Sequence, residues 1–223
     1  MDKVISFIQP SRNNLKYLKW SYNSIRKNLG YRHEICWADD FSDDGTWEWM
    51  QEIADKDKNV RIIRNSGPDR LGHTILYDRL VELATNDIVM IYHADMDACP
   101  NMDVEVLKHL ERGKVVSATR IEPPLHPDGP EKILKDFGIE PEEFKEDKLL
   151  ELVDETQSGV GILYGPLALN RETTNGIFAP WAIYKDDFLA IGGHDPLYAP
   201  QSKEDSDIFN RFVLAGYELI QTW

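Results

Sequence analysis

The sequence predicts an α/β protein built on a mostly parallel β-sheet with helices on both faces. Three observations carry this. Strand-like and helix-like segments alternate strictly over about the first 120 residues, the order that builds crossover units on a parallel sheet. Polar clusters at residues 9–14, 39–46, 65–72 and 93–97 each follow an apolar run, and ligands of open α/β sheets sit at the carboxyl ends of strands. Finally, 223 residues with 42% hydrophobic content suffice for a sizeable core.

Taken in order, "KVISFIQ" is a β-rich run. It breaks at Pro10 without a small-residue cleavage site, so it reads as a first strand rather than a signal peptide. "NNLKYLKWSYNSIRKNLG" places Leu15, Leu18, Tyr22 and Ile25 near helical spacing, with Gly30 as a stop signal. "HEICWAD" is a second strand that ends in acid. "SDDGTWEWMQEIADKD" opens with cap-type residues and continues as an amphipathic helix. "VRIIRN" is a third strand, "GHTILYDRLVELATN" a third helix, and "DIVMIYHAD" a fourth strand. "MDVEVLKHLERG" is a fourth helix and "KVVSATRIE" a fifth strand.

The pattern then changes. "PPLHPDGPEK" is Pro-rich and loop-like, and "PEKILKDFGIEPEEFKEDKLLELVDE" reads as two charged helical pieces. "TQSGVGILYGPLALNRETTNG" is glycine-spotted and irregular. "IFAPWAIYKDDFLAIGGHD" brings apolar residues back, and "SKEDSDIFNRFVLAGYELIQTW" reads as a helix followed by a strand. No internal repeat is present. The expectation is a single domain over 1–223, interrupted by a variable insertion at 121–175.

A formal net charge of −14 argues against nucleic acid as a partner, which needs basic surface, but not against nucleotides held by a local Arg or a metal. Cys36 and Cys99 read as free thiols in a reducing compartment. No segment has the apolar length to cross a bilayer. A cytoplasmic location, free or peripheral at the membrane, is expected.

Five stretches carry chemistry. In "WADDFSDDGT", Asp39 and Asp40 can accept hydrogen bonds from a nucleobase N–H or ribose hydroxyls. Capping by Ser42, Asp43 and Thr46 explains the turn but not the paired acids before it. In "IVMIYHADMDACP", His93, Asp95 and Asp97 stand at alternate positions after an apolar run. Hard oxygen ligands so placed can share Mg²⁺ or Mn²⁺ with a diphosphate, and His93 could join a Mn²⁺ site. The bland alternative is a solvated acidic loop. In "SGPDRLGH", Arg70 could face a pyrophosphate or base while Gly72 permits close approach; the alternative is an ordinary surface turn. In "QSKEDSDIFNRFVLAGY", Glu204 and Asp205 precede a helix. Acids there favour the helix dipole, or one serves as a general base for an acceptor hydroxyl. In "NGIFAPWAIY", Phe178 and Trp181 are core residues or a platform for a sugar ring.

As an ordered set these stretches resemble the family 2 glycosyltransferases of the GT-A fold. The likeness rests on "ISFIQPSRNN", "ADDFSDDGT", "ATNDIVMIYHADMDACPNMD", "AIGGHD" and "KEDSDIFNRFVLAGY", and covers most of the chain outside 121–175. It implies a GT-A, Rossmann-like sheet that binds a nucleotide-diphosphate sugar through its first 120 residues. Pro10, Ser11 and Arg12 would line the base pocket, with Asp40 and Asp39 on base or ribose and Arg70 nearby. The acidic loop would hold Mn²⁺ or Mg²⁺ against the diphosphate. Asp205, with Glu204 beside it, would deprotonate an acceptor hydroxyl, giving a single displacement with inversion. The insertion and residues 178–181 would meet the acceptor, whether a glycan, a lipid-linked molecule or another hydroxyl compound.

One departure stands out. The family reads Asp-x-Asp-Asp, three residues, then Pro. Counting back from Pro100 puts His93 and Asp95 on the two Asp of the D-x-D. Asp95 is then the principal ligand, Asp97 the second, and His93 replaces a carboxylate. The chain also ends at "ELIQTW" with no later metal-binding histidine, so a truncated or short form is expected. Two other readings stay open. A sugar nucleotidyltransferase would carry a Gly-rich basic loop after the first strand, and "IQPSRNN" has no glycine. A non-catalytic nucleotide- or carbohydrate-binding module is compatible with His93 and the early end.

Overall fold

The computed structural model describes residues 4–125, 127–129, 132–157 and 177–222. The strands are β1 (Ile5–Ser11), β2 (Glu34–Asp40), β3 (Val60–Asn65), β4 (Ile88–Ile91), β5 (Lys114–Ala118), β6 (Arg120–Glu122), β7 (Lys132–Leu134), β8 (Trp181–Tyr184) and β9 (Glu218–Thr222). The helices are α1 (Leu15–Asn28), α2 (Thr46–Lys56), α3 (His73–Leu83), α4 (Met102–His109), α5 (Glu146–Gln157), α6 (Lys185–Ala190) and α7 (Glu204–Leu214). The main sheet runs β3-β2-β1-β4-β8-β5-β9, and β6 pairs with β7 in a small separate sheet. All main-sheet pairings are parallel except those of β8, which is antiparallel to both β4 and β5. The fold is therefore α/β with a mostly parallel sheet, as expected.

Side chains of a strand alternate between its faces, and the core divides accordingly. Phe7 and Trp37 point to the face covered by α1, α2 and α4, where they meet Leu18, Ile25, Met50 and Val106. Ile8 and Cys36 point to the other face and meet Leu76, Leu80, Phe188 and Phe212 from α3, α6 and α7. β2 is buried along its whole length, the burial of a strand covered on both sides.

Three local expectations change. The fourth strand stops at Ile91, so 93–97 lie in a loop rather than at alternate strand positions. Ile91 pairs with Trp181, and the residue before Trp181 is Pro180, which has no N–H to extend the ladder. The fifth strand is split into β5 and β6 at Thr119, whose N–H donates to the Thr222 carbonyl at 3.0 Å. The first expected helical piece of the insertion is instead β7, parallel to β6, followed by a turn at Gly138. That glycine has φ +103°, and a Cβ there would lie 2.5 Å from the Glu143 carbonyl oxygen. The second piece is the helix α5. The glycine-spotted stretch of the insertion lies almost wholly outside the described residues. Among the described residues no helix is long and apolar enough to cross a membrane.

Candidate active site

The carboxyl ends of β1 and β2 put Ser11 directly opposite Asp39. Asp39 is fully buried. Its Oδ2 accepts from the Ser42 N–H at 3.3 Å and from Arg64 Nε at 3.1 Å. Among the described residues its Oδ1 is buried with no partner, and so is the Ser11 hydroxyl. Asp40 faces the other way and spends both oxygens on the protein. Oδ1 accepts from Asn65 Nδ2 at 2.7 Å and the Leu71 N–H at 3.0 Å; Oδ2 accepts from the Gly72 N–H at 2.8 Å. Asp40, expected on base or ribose, instead pins the loop between β3 and α3. Gly72 is required there: its φ is +79°, and a Cβ would sit 2.0 Å from the Pro200 carbonyl oxygen. Arg70 lies 3.7 Å from Asp40 and donates to Gln201 Oε1 at 2.8 Å, tying this loop to the segment before α7. Pro10 is half-buried in β1, and Arg12 is exposed just beyond it. The turn after β2 is stitched to the turn after β1, and Asp44 does the work expected of Asp43. It accepts from the Thr46 N–H and the Leu15 N–H, both at 3.0 Å.

The loop after β4 is anchored at its start by Gln9, whose Nε2 donates to the His93 carbonyl at 3.2 Å. Burial lowers the pKa of His93, only partly offset by Asp95; the ring is neutral at neutral pH, the state that ligates metals. Asp95 is exposed beside it. Asp97 turns away. Its polar neighbours are Ser24 and Lys27 on α1 and Glu146 on α5, and burial pushes its carboxyl up to about 7. Its Oδ2 is buried without a partner among the described residues. Asp97 thus sits among groups of α1 and α5, while Asp95 stands exposed beside His93. Among the described residues no three His, Cys, Asp or Glu side chains converge to hold a metal. His93 and Asp95 do fit Mn²⁺ or Mg²⁺ as two of several ligands, a neutral imidazole and an accessible carboxylate, with phosphate oxygens and water filling the shell.

The third wall is α7 with the helix facing it, α3. Non-glycine residues with positive φ, Ser202 at +102° and Lys203 at +69°, lead into α7, a costly geometry that recurs at functional sites. Glu204 is buried. It accepts from the Ser202 N–H at 2.5 Å and from His73 Nε2 at 3.1 Å, so it positions the helix start. Among the described residues Asp205 has no hydrogen-bond partner. Burial pushes its carboxyl up to about 6, aided by Glu204 and opposed by His194 and Arg120. Tyr77 is buried, and Asp205, Glu204 and Asp95 all act on its hydroxyl. That ring therefore marks the point where the loop after β4 meets the start of α7. The next residue, Asp78, accepts from His194 Nδ1 at 2.7 Å and from the His194 N–H at 3.0 Å. His73, Tyr77, Arg120 and His194 are members of this cluster that the motifs did not single out. The spacing of His73 and Tyr77 along one helix face was the available signal.

Trp181 is a correction. It is fully buried and packs edge-on against Phe209 and Phe212, with ring centroids 5.5 and 6.0 Å away. It is core and cannot stack on a sugar. Phe178 is exposed, with the Arg120 guanidinium 4.9 Å from its ring centre.

Comparison with known proteins adds the following. The family model "Glycosyl transferase family 2" matches residues 6–175. Among similar solved structures is GalNAc-T7 with UDP, GalNAc and Mn²⁺, at 15% identity and a TM-score of 0.67, covering 98% of this chain and 42% of that one. S. aureus TarS superposes at 13% identity and a TM-score of 0.66, covering 98% of this chain and 35% of that one. TarS 1-349 gives 12% identity and a TM-score of 0.65, with 98% and 57% covered. The chain thus spans between about a third and three fifths of the length of these structures, and the likeness is one of fold.

Proposed function

The chain belongs to glycosyl transferase family 2, and from that premise we propose that it moves a sugar from a nucleotide-diphosphate sugar to an acceptor hydroxyl by a single, inverting displacement. The carrying observation is Asp205: a carboxylate without a hydrogen-bond partner among the described residues, at the start of α7, within electrostatic reach of Tyr77, as Asp95 also is. A base in this position takes the proton of the acceptor hydroxyl while its oxygen attacks the anomeric carbon. The bond from that carbon to the diphosphate breaks, and the nucleoside diphosphate leaves on the opposite side. With a pKa near 6, Asp205 is ionised at neutral pH yet more basic than an ordinary carboxylate, as a general base requires.

The buried orphans at β1 and β2 support a nucleotide at the strand ends. An unsatisfied buried polar group costs about 1–3 kcal/mol. Asp39 Oδ1 can accept a ring N–H of uracil, thymine or guanine, and the Ser11 hydroxyl lies in register beside it. Pro10 and Arg12 flank Ser11 in the chain and would extend this site, with Arg70 on the loop held by Asp40 as a further candidate. Asp95 and His93 would hold Mn²⁺ or Mg²⁺, which when bound offsets charge on the departing diphosphate. The GalNAc-T7 structure contains UDP and Mn²⁺, in keeping with such a donor and cation.

The test is release of nucleoside diphosphate from a panel of UDP-, GDP- and dTDP-sugars, with wild type and Asp205→Asn side by side. Release by wild type that falls at least a hundredfold in the variant supports the reading. Equal release by both removes Asp205 as the base, and no release with any donor removes the enzymatic reading.

A further inference from the structure

A cavity of about 480 Å³ lies beside the loop after β4, between α1 and the insertion, and the function proposed above gives it no occupant. Its volume is that of a small-molecule site. Tyr17 and Trp20 from α1 and Phe137 and Phe144 from the insertion form much of its lining. The wall is fixed. Trp20 and Phe144 meet edge-to-face at 4.9 Å, Tyr17 spends its hydroxyl on Glu140 at 2.9 Å, and Lys27 holds Glu146 at 2.6 Å. The tyrosine therefore offers its ring, not its oxygen.

Polar groups share the lining with these rings: Asp95, Arg120, Glu122 and Lys135 border the cavity, and so does Asp97. Among the described residues the Asp97 Oδ2 is buried with no partner. A hydroxyl donated by a bound molecule would satisfy it. The cavity also shares His93, Asp95 and Arg120 with the catalytic cluster, so a molecule seated there reaches the sugar end of the donor. The strand-end pocket at Ser11 and Asp39 is not part of its lining, which separates it from the nucleotide.

We propose that this cavity is the acceptor subsite, that its occupant is a hydroxyl compound with an apolar ring body, and that Asp97 reads one of its hydroxyls. The assignment rests on the glycosyl-transfer reading and gives that reading an acceptor class. It also gives Asp97 a role away from the cation.

Phenyl β-glucoside and methyl β-glucoside are the probes, titrated by calorimetry or ligand-observed NMR in the presence of UDP and Mn²⁺. Wild type should bind the phenyl compound about tenfold more tightly or better, the worth of one well-buried apolar ring. Asp97→Asn should weaken the phenyl compound about tenfold, as loss of a hydrogen bond to a buried polar group does, while leaving the affinity for UDP with Mn²⁺ within twofold. Trp20→Ala should weaken the phenyl compound without touching UDP, and circular dichroism confirms that both variants fold. Equal binding of the two glucosides, or Asp97→Asn weakening UDP with Mn²⁺ as much as Asp95→Asn does, overturns the proposal. Donor turnover by wild type, measured as nucleoside diphosphate release, separates the failures. Turnover with equal glucoside binding sinks only the acceptor assignment, and no turnover sinks the parent reading and this one with it.

Discussion

Asp205→Asn should stabilise the protein while removing transfer. Burial and the neighbouring Glu204 raise the Asp205 carboxyl from 3.8 to about 6. A folded pKa above the unfolded one means the group favours folding fully below about pH 4, and that contribution is lost as pH rises through about 6. At pH 8 the ionised carboxylate is therefore a net burden on the folded state. A shift of about 2 units corresponds to about 3 kcal/mol. Asp205 is only half-buried, so water screens part of this, and about 1–2 kcal/mol is the working figure. Asn has nearly the same shape and no charge, so the variant should gain that amount at pH 8, seen as a melting temperature higher by about 3–6 °C. The gain should shrink to nothing near pH 4. Transfer should fall by about 10²–10⁴, the usual contribution of a general base. Urea unfolding at pH 8 and pH 4, with activity measured on the same preparations, checks both halves. A variant less stable at pH 8, or one whose stability difference ignores pH, refutes the burial argument. A variant that keeps its activity refutes the base.

Other outcomes follow from the same geometry. In wild type, the logarithm of the transfer rate should rise with pH through about 6 as Asp205 ionises, then level off, which a pH–rate profile shows directly. Asp40→Ala strips the acceptor from the Leu71 and Gly72 N–H groups and from Asn65; it should cost about 2–4 kcal/mol and open residues 65–72 to limited proteolysis. Asp95→Ala should abolish the Mn²⁺-dependent part of UDP affinity in calorimetry and leave the metal-free part unchanged. Trp181→Ala should cost about 3–5 kcal/mol in urea unfolding, because the ring is fully buried, rather than raise the KM of any acceptor.

Much of this site could be read before the fold was known, because the signals are local. Strict alternation placed the strands of the parallel half, and the polar runs that follow them in sequence fall in the loops after β1, β2, β3 and β4. The misreadings are non-local. Asp39 and Asp40 must point to opposite faces of β2, since side chains alternate along a strand. Which of them has both oxygens occupied by the protein depends on residues 65–72, some 25 to 32 residues away. Asp97 looked like a partner of Asp95 while 93–97 was taken as strand. The loop lets the two diverge. "WAIY" is too short a run to separate platform from core, and only its insertion between β4 and β5 shows Trp181 to be interior. The pairing of α3 with the start of α7, through His73 and Glu204, spans 131 residues and leaves no local trace.

The central claim is a single displacement at the anomeric carbon, with Asp205 taking the acceptor proton. It is tested most directly by proton NMR of the first product formed from an α-linked nucleotide sugar, using the anomeric coupling constant. The account predicts a β-configured glycosidic product. An α-configured first product would contradict it.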